Sequence, residues 1–212
     1  MQLIPDHYYH IYNRGNNGED LFLQEKNYNY FLTLYYKYIF SIADTFAYAF
    51  LKNHFHFLVR LKDIKTSEVL KTSEVSKNEV SKTSDVLDTT AISKYYSQKF
   101  SNFFNAYAKA FNKQYNRKGS LFQTRFGRKR IQSNSHLIYL VQYIHLNPQR
   151  HTFVQDFRDY PYTSYHLFQN STKTIILKDE VLDWFDGYKG FEYFHNTNND
   201  FSEITYVVKE DL

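Results

Sequence analysis

Two imidazoles flank a single apolar residue in the run Leu51-Lys52-Asn53-His54-Phe55-His56-Phe57-Leu58-Val59-Arg60. On a β-strand, side chains two residues apart share a face, so His54 and His56 would stand side by side as two nitrogen donors, a ready clamp for a metal ion. Phe55, Phe57 and Val59 would then back the strand on its other face and hold the pair rigid. A lone His-x-His more often serves ordinary polar roles, so the rest of the chain decides its meaning. A second pair is Tyr143 and Asn147. Four residues apart on a helix, they would lie one above the other and reach the same ligand. Pro148 disfavours helical geometry at the residue before it, which places the Asn147 amide on a final frayed turn.

Strands and helices must carry these groups. Tyr8 to Asn13 reads as a strand, Glu25 to Phe40 as an aromatic-faced helix, and Thr45–Leu51 with Phe55–Leu61 as a hairpin turning at Lys52-Asn53. Phe100, Phe103, Phe104, Tyr107 and Phe111 recur at helical steps within Ile92 to Tyr115, and Leu121 to Ile131 reads as a further strand. The order is β-α-β-β-α-β, an α+β arrangement of ferredoxin-like type with an antiparallel sheet and helices on one face. A last long helix starts at Ser133 or Ser135, buries Leu137, Leu140, Val141 and Ile144, carries Tyr143, and stops at Pro148. A turn over Asp159–Tyr165 and a short helix over Lys178–Phe185 follow; the polar tail from Asn196 to Leu212 has no legible place.

Residues 62–90 stand apart. They contain no aromatic residue and repeat as KTSEVL, KTSEVS, KNEVS, KTSDVL. The short period fits no solenoid unit, and the segment reads as a duplicated surface insertion without chemistry. The expected organisation is a catalytic domain over 1–166, interrupted at 62–90, and a C-terminal extension over 167–212.

Aromatic residues make up 20% of the 212 residues, with 21 Tyr and 20 Phe against one Trp, so rings must supply much of the core. The absence of cysteine excludes disulfides, thiolate metal sites and cysteine nucleophiles; any metal ligands must be nitrogen or oxygen. No signal-like N-terminus or membrane-length apolar run is present, which leads to the expectation of a soluble, cytoplasmic protein. The net charge of +4 is modest, but Arg117, Lys118, Arg125, Arg128, Lys129 and Arg130 fall within a stretch free of acids. With Arg14 and Arg150 beside the candidate motifs, this predicts a phosphate-attracting surface.

Five segments in order resemble the histidine-hydrophobe-histidine single-strand transposases, and among them the REP-associated tyrosine transposases of the insertion-sequence 200-like group. They are Tyr12-Asn13-Arg14-Gly15-Asn16-Asn17, Asn53-His54-Phe55-His56, Gly119-Ser120-Leu121-Phe122-Gln123-Thr124-Arg125-Phe126, Tyr143-Ile144-His145-Leu146-Asn147-Pro148 and Tyr160-Pro161-Tyr162-Thr163-Ser164-Tyr165. The resemblance implies that His54, His56 and Asn147 hold a divalent cation, Mg or Mn. It also implies that Tyr143 is a nucleophile cleaving and rejoining single-stranded or hairpin DNA through a 5′-phosphotyrosine intermediate. Arg14, Arg125, Arg128, Lys129 and Arg130 are the candidate DNA contacts, and the protein would act as a monomer or homodimer. Lys52 stands where the family usually has proline, and the 62–90 insertion is atypical. Two other readings stay open: a noncatalytic binder of single-stranded nucleic acid on a ferredoxin-like sheet, and a metal hydrolase in which Tyr143 only packs.

Overall fold

The computed structural model of the chain describes residues 1–64, 89–169, 174–197 and 201–208. The repeats within 65–88 lie outside these. The order is β1 (Tyr8–Arg14), α1 (Glu25–Tyr38), β2 (Ala43–Leu51), β3 (His54–Leu61), α2 (Thr89–Gln114), β4 (Gly127–Arg130) and α3 (Asn134–Arg150). The four strands form one sheet in the order β2-β3-β1-β4, and every neighbouring pair is antiparallel. This is the α+β, β-α-β-β-α-β topology expected.

Local chemistry sets the element boundaries. Gln24 and Asn27 cap α1 reciprocally, the Asn27 Oδ1 accepting from the Gln24 backbone N–H at 3.0 Å. The Leu51–His54 pair closes the β2–β3 hairpin over Lys52-Asn53, so register is fixed next to the first histidine. The expected strand over Leu121–Ile131 is shorter: only Gly127–Arg130 pairs as β4. Upstream, Gly119 adopts φ +91° and Ser120 Oγ donates to the Phe122 carbonyl, forming a turn that drops the consecutive Leu121 and Phe122 into the core. Phe122 keeps one antiparallel bridge, to Gly15, outside β4.

The sheet is covered on both faces. α1 and α2 cover the face of Phe55 and Phe57: Phe31 lies 5.1 Å from Phe55 and 4.7 Å from Phe103, and Phe104 lies 5.3 Å from Phe55. α3 packs on β2 and β3 from the other side, the histidine side. Buried tyrosines in this aromatic core tether their hydroxyls, as where Tyr35 meets Thr45 Oγ1 at 2.7 Å and Tyr160 donates to the Phe50 carbonyl at 2.9 Å.

Beyond α3, α4 (Lys178–Asp183), α5 (Tyr188–Thr197), a 3-10 turn (Ser202–Ile204) and α6 (Thr205–Val208) follow, and Val181, Phe191, Phe201, Ile204 and Val208 join the same apolar cluster as the sheet. α4 also closes the far end of the histidine face, where Arg60 pairs with Asp44 at 2.9 Å and Glu180 at 2.7 Å.

A buried histidine chain ties α5 to α3. His195 Nδ1–H donates to the Phe191 carbonyl at 2.8 Å, so its Nε2 accepts from His145 Nδ1–H at 2.9 Å, and His145 Nε2 accepts from the Ser164 hydroxyl at 2.8 Å. The chain is satisfied with both rings neutral, and the Ser164 Oγ also lies 3.3 Å from the Tyr48 carbonyl. Burial drives His145 well below the usual imidazole range, assisted by His195 and His166, and takes His195 down to about 4. Between about pH 4 and 6.5 the unfolded chain therefore binds protons that the folded one does not, so stability rises with pH across this window and is lost as pH falls. The expected loss from pH 7 to pH 5 is on the order of 2 kcal/mol for each histidine held neutral. Urea unfolding at the two pH values measures it, and an unchanged midpoint would contradict this account.

Candidate metal and nucleophile site

β3 alternation puts His54 and His56 on one face, opposite Arg14 and Tyr12 of β1. Their rings lie 5.1 Å apart, nearly perpendicular, and the side chains are 6% and 1% exposed. α3 faces them. Its Asn147 is fully buried with Oδ1 at 3.3 Å from His54 Nε2, and the Tyr143 ring lies 6.1 Å from the His56 ring, edge to face. The four groups come together within one chain.

Asn147 is not on a frayed turn. α3 continues through Pro148 to Arg150, and Gln142 through Pro148 are all buried. Packing of this turn on the sheet overrides the local preference of the residue before proline, and the orphaned groups fall at the helix end, where His151 N–H donates to the Asn147 carbonyl and Phe153 N–H to the Pro148 carbonyl.

The polarity around His54 bears on a cation. Asn53 Oδ1, 2.7 Å from Nδ1, can only accept, so Nδ1 carries the ring proton and Nε2 is left with a lone pair. That lone pair faces Asn147 Oδ1, another acceptor. A second proton does not resolve the contact, because burial, with His151 and Arg14 nearby, lowers the ring to about 3. The Asn147 Nδ2 group, turned away, is buried without a hydrogen bond. Turning the amide over would let Nδ2–H donate to the Nε2 lone pair; in the orientation present, the two acceptors have the spacing of ligands sharing a cation, since ligands roughly 2.1 Å from an ion of magnesium size, at right angles, stand roughly 3 Å apart. Among the described residues no group of three or more His, Cys, Asp or Glu side chains could hold a metal, so the two histidines have no third metal donor of those types beside them. Two imidazole nitrogens and one amide oxygen make a thiolate-free donor set compatible with a divalent cation.

His10 supports His56 from the neighbouring strand. It is fully buried on β1, with Nε2 at 2.9 Å from His56 Nδ1 and its ring stacked on that of His56. Period-two spacing from Tyr12 placed it on this face, but its partner lies 46 residues away. Tyr12 completes a stack of rings over Gly127, where a Cβ would sit 2.1 Å from the phenol carbon. Only glycine admits that ring.

Beside the histidines lies a cavity of about 100 Å³, lined in part by His54, His56, Arg14, Gln123, Arg125 and His151. Thus Arg14 and Arg125 stand at the site. The remaining candidate cations are divided by the strand: Lys129 shares the His10 side of β4, whereas Arg128 and Arg130 share the Tyr9 side. Arg117 is engaged by Glu19, an acid the local stretch lacks. Tyr143 does not line the cavity. It is 1% exposed, with Phe201 5.5 Å away and the Arg150 guanidinium over its ring at 5.3 Å.

Fold and side chains together describe an α+β protein with a ferredoxin-like antiparallel sheet, whose paired-histidine strand is faced by a helix carrying tyrosine and asparagine. No protein-family model and no curated protein matches the chain. Among solved structures, it is similar to a REP-associated tyrosine transposase bound to a REP hairpin, with 16% identity, a TM-score of 0.54, and coverage of 89% of this chain and 94% of that one. At that identity the likeness establishes the fold. No helix among the described residues is long and apolar enough to cross a membrane.

Proposed function

We propose that the protein is a metal-dependent transposase that cleaves and rejoins single-stranded DNA at hairpins with Tyr143 as nucleophile. The observation that carries this reading is the convergence of His54, His56, Asn147 and Tyr143 from β3 and α3, with two acceptors held face to face as if for a cation. The likeness to a hairpin-bound transposase supports it.

When bound, a divalent ion held by His54, His56 and Asn147 would supply Lewis-acid polarisation of the scissile phosphate. Arg14 and Arg125 orient that phosphate in the cavity and offset its charge. The Tyr143 oxygen, giving up its proton, attacks phosphorus; the new P–O bond links tyrosine to the 5′ side as the P–O3′ bond breaks and the 3′ oxygen takes a proton. A later 3′-hydroxyl reverses the exchange, so rejoining needs no nucleotide cofactor. Because Tyr143 is covered, Phe201 and Arg150 must shift for a phosphate to reach it.

Incubation with labelled hairpin DNA and Mg or Mn tests the reading. A protein–DNA adduct stable to denaturant is expected. Cleaved DNA without an adduct would indicate a hydrolase, and binding without cleavage a noncatalytic binder. His10, as a positioning residue for His56, gives a separate prediction: His10→Ala is expected to weaken Mn binding by about 10- to 100-fold, the usual cost of losing a group that fixes a ligating imidazole. Titration calorimetry measures this without turnover, and unchanged affinity would remove His10 from the site.

A further inference from the structure

A second and larger concavity adjoins the histidine cavity. It is a groove of about 1100 Å³ between α2 and the segment from Gly119 to Lys129, and Tyr12, Asn13, Gln123, Arg125 and Gly127 line both spaces. The two are therefore continuous around the β4 edge of the sheet. The α2 wall carries a row of polar side chains at helical spacing, Ser97, Ser101, Asn105, Lys109 and Asn112, beside Phe104 and Ala108 and opposite to the face that buries Phe103 and Tyr107.

We infer that this groove is the track for the DNA strand continuing from the scissile phosphate, and that it holds the backbone rather than the bases. The inference rests on the DNA-processing reading of the adjoining site. Three features carry it. First, among the described residues no Asp or Glu lines the groove, whereas Lys109, Arg125, Arg128 and Lys129 do, which suits a polyanion. Second, the remaining polar lining is hydroxyl and amide, the groups that contact phosphate and sugar oxygens without reading sequence.

Third, the groove's rings are not available for stacking. Tyr12, Phe104 and Phe122 are buried, and the face of Phe126 is occupied by the Arg128 guanidinium at 5.2 Å. Arg128 is in turn held by Ser97 Oγ at 2.7 Å, so its charge is fixed at the wall. A base-stacking channel needs exposed aromatic faces, and this one offers phosphate contacts instead. From Ser97 to Asn112 the helix runs roughly 22 Å, the length of about six stacked nucleotides.

The test compares a labelled hairpin alone with the same hairpin bearing flanks of two, six or twelve nucleotides on its 5′ or its 3′ side, in wild type and in the double variant Asn105→Glu/Lys109→Glu. Both positions are exposed and outside the histidine site. Fluorescence anisotropy is expected to show that one flank tightens binding about tenfold or more by six nucleotides, independently of flank sequence, with little gain at twelve. The double variant should lose that gain while binding the bare hairpin as wild type does, and its salt dependence with the flanked DNA should be shallower by about 0.7 for the lost cation. Affinity independent of flank length, or a flank gain retained in the double variant, would overturn the track and leave the hairpin reading standing. Failure of wild type to bind any hairpin would overturn both.

Discussion

Tyr143→Phe is expected to abolish the covalent protein–DNA adduct and strand cleavage while leaving hairpin affinity within about twofold of wild type. The substitution removes one oxygen from a ring that is already 1% exposed and keeps its contacts with His56, Phe201 and Arg150, so packing gives no reason for the fold or the DNA surface to change. Phosphoryl exchange, in contrast, has no second route if the attacking oxygen is this phenol. Denaturing gel electrophoresis of labelled DNA reads adduct and nick together. Retained adduct in the variant would transfer the nucleophile to another tyrosine, and retained cleavage without adduct would mean that water attacks.

His54→Ala and Asn147→Ala should each lower cleavage by at least about 10³-fold, the order lost when a preorganised stabiliser of transition-state charge is removed. A binding readout separates this from damage to the fold. Manganese at about 100 times its dissociation constant should stabilise wild type by about 2.7 kcal/mol in thermal unfolding, and neither variant should gain that increment. In chelator the picture differs. His54→Ala removes one of two acceptors that face each other at 3.3 Å, so the metal-free variant should lose less stability than truncation of a satisfied buried group would cost. Equal stabilisation of wild type and both variants by manganese would place the ion elsewhere.

Much of the arrangement could be read along the chain because it rests on short-range periodicity. Strand spacing alone put His54 and His56 on one side and Phe55 and Phe57 on the other, and helical spacing stacked Tyr143 over Asn147. The order of strands and helices followed from the same patterns, and the antiparallel sheet follows that order. Where the reading went astray, a local preference competed with burial. Pro148 argued for a helix end at Asn147, but the turn from Ile144 to Asn147 is buried and stays helical. Leu121-Phe122 argued for continuous strand, but pairing there is limited to one bridge, Phe122 with Gly15, and both side chains enter the core.

The chain by itself determined which groups are carried and which of them share a face, because a backbone repeat of two or 3.6 residues fixes relative direction within an element. Tertiary structure decided what each face meets. That α3 covers the histidine side, that Asn147 reaches His54 across 93 positions and His10 reaches His56 across 46, are outcomes of long-range packing and strand register, which no local repeat encodes. The same holds for charge. A basic run looks uniform in sequence, yet strand alternation sends Lys129 and Arg128 to opposite sides and Glu19, from a distant loop, engages Arg117.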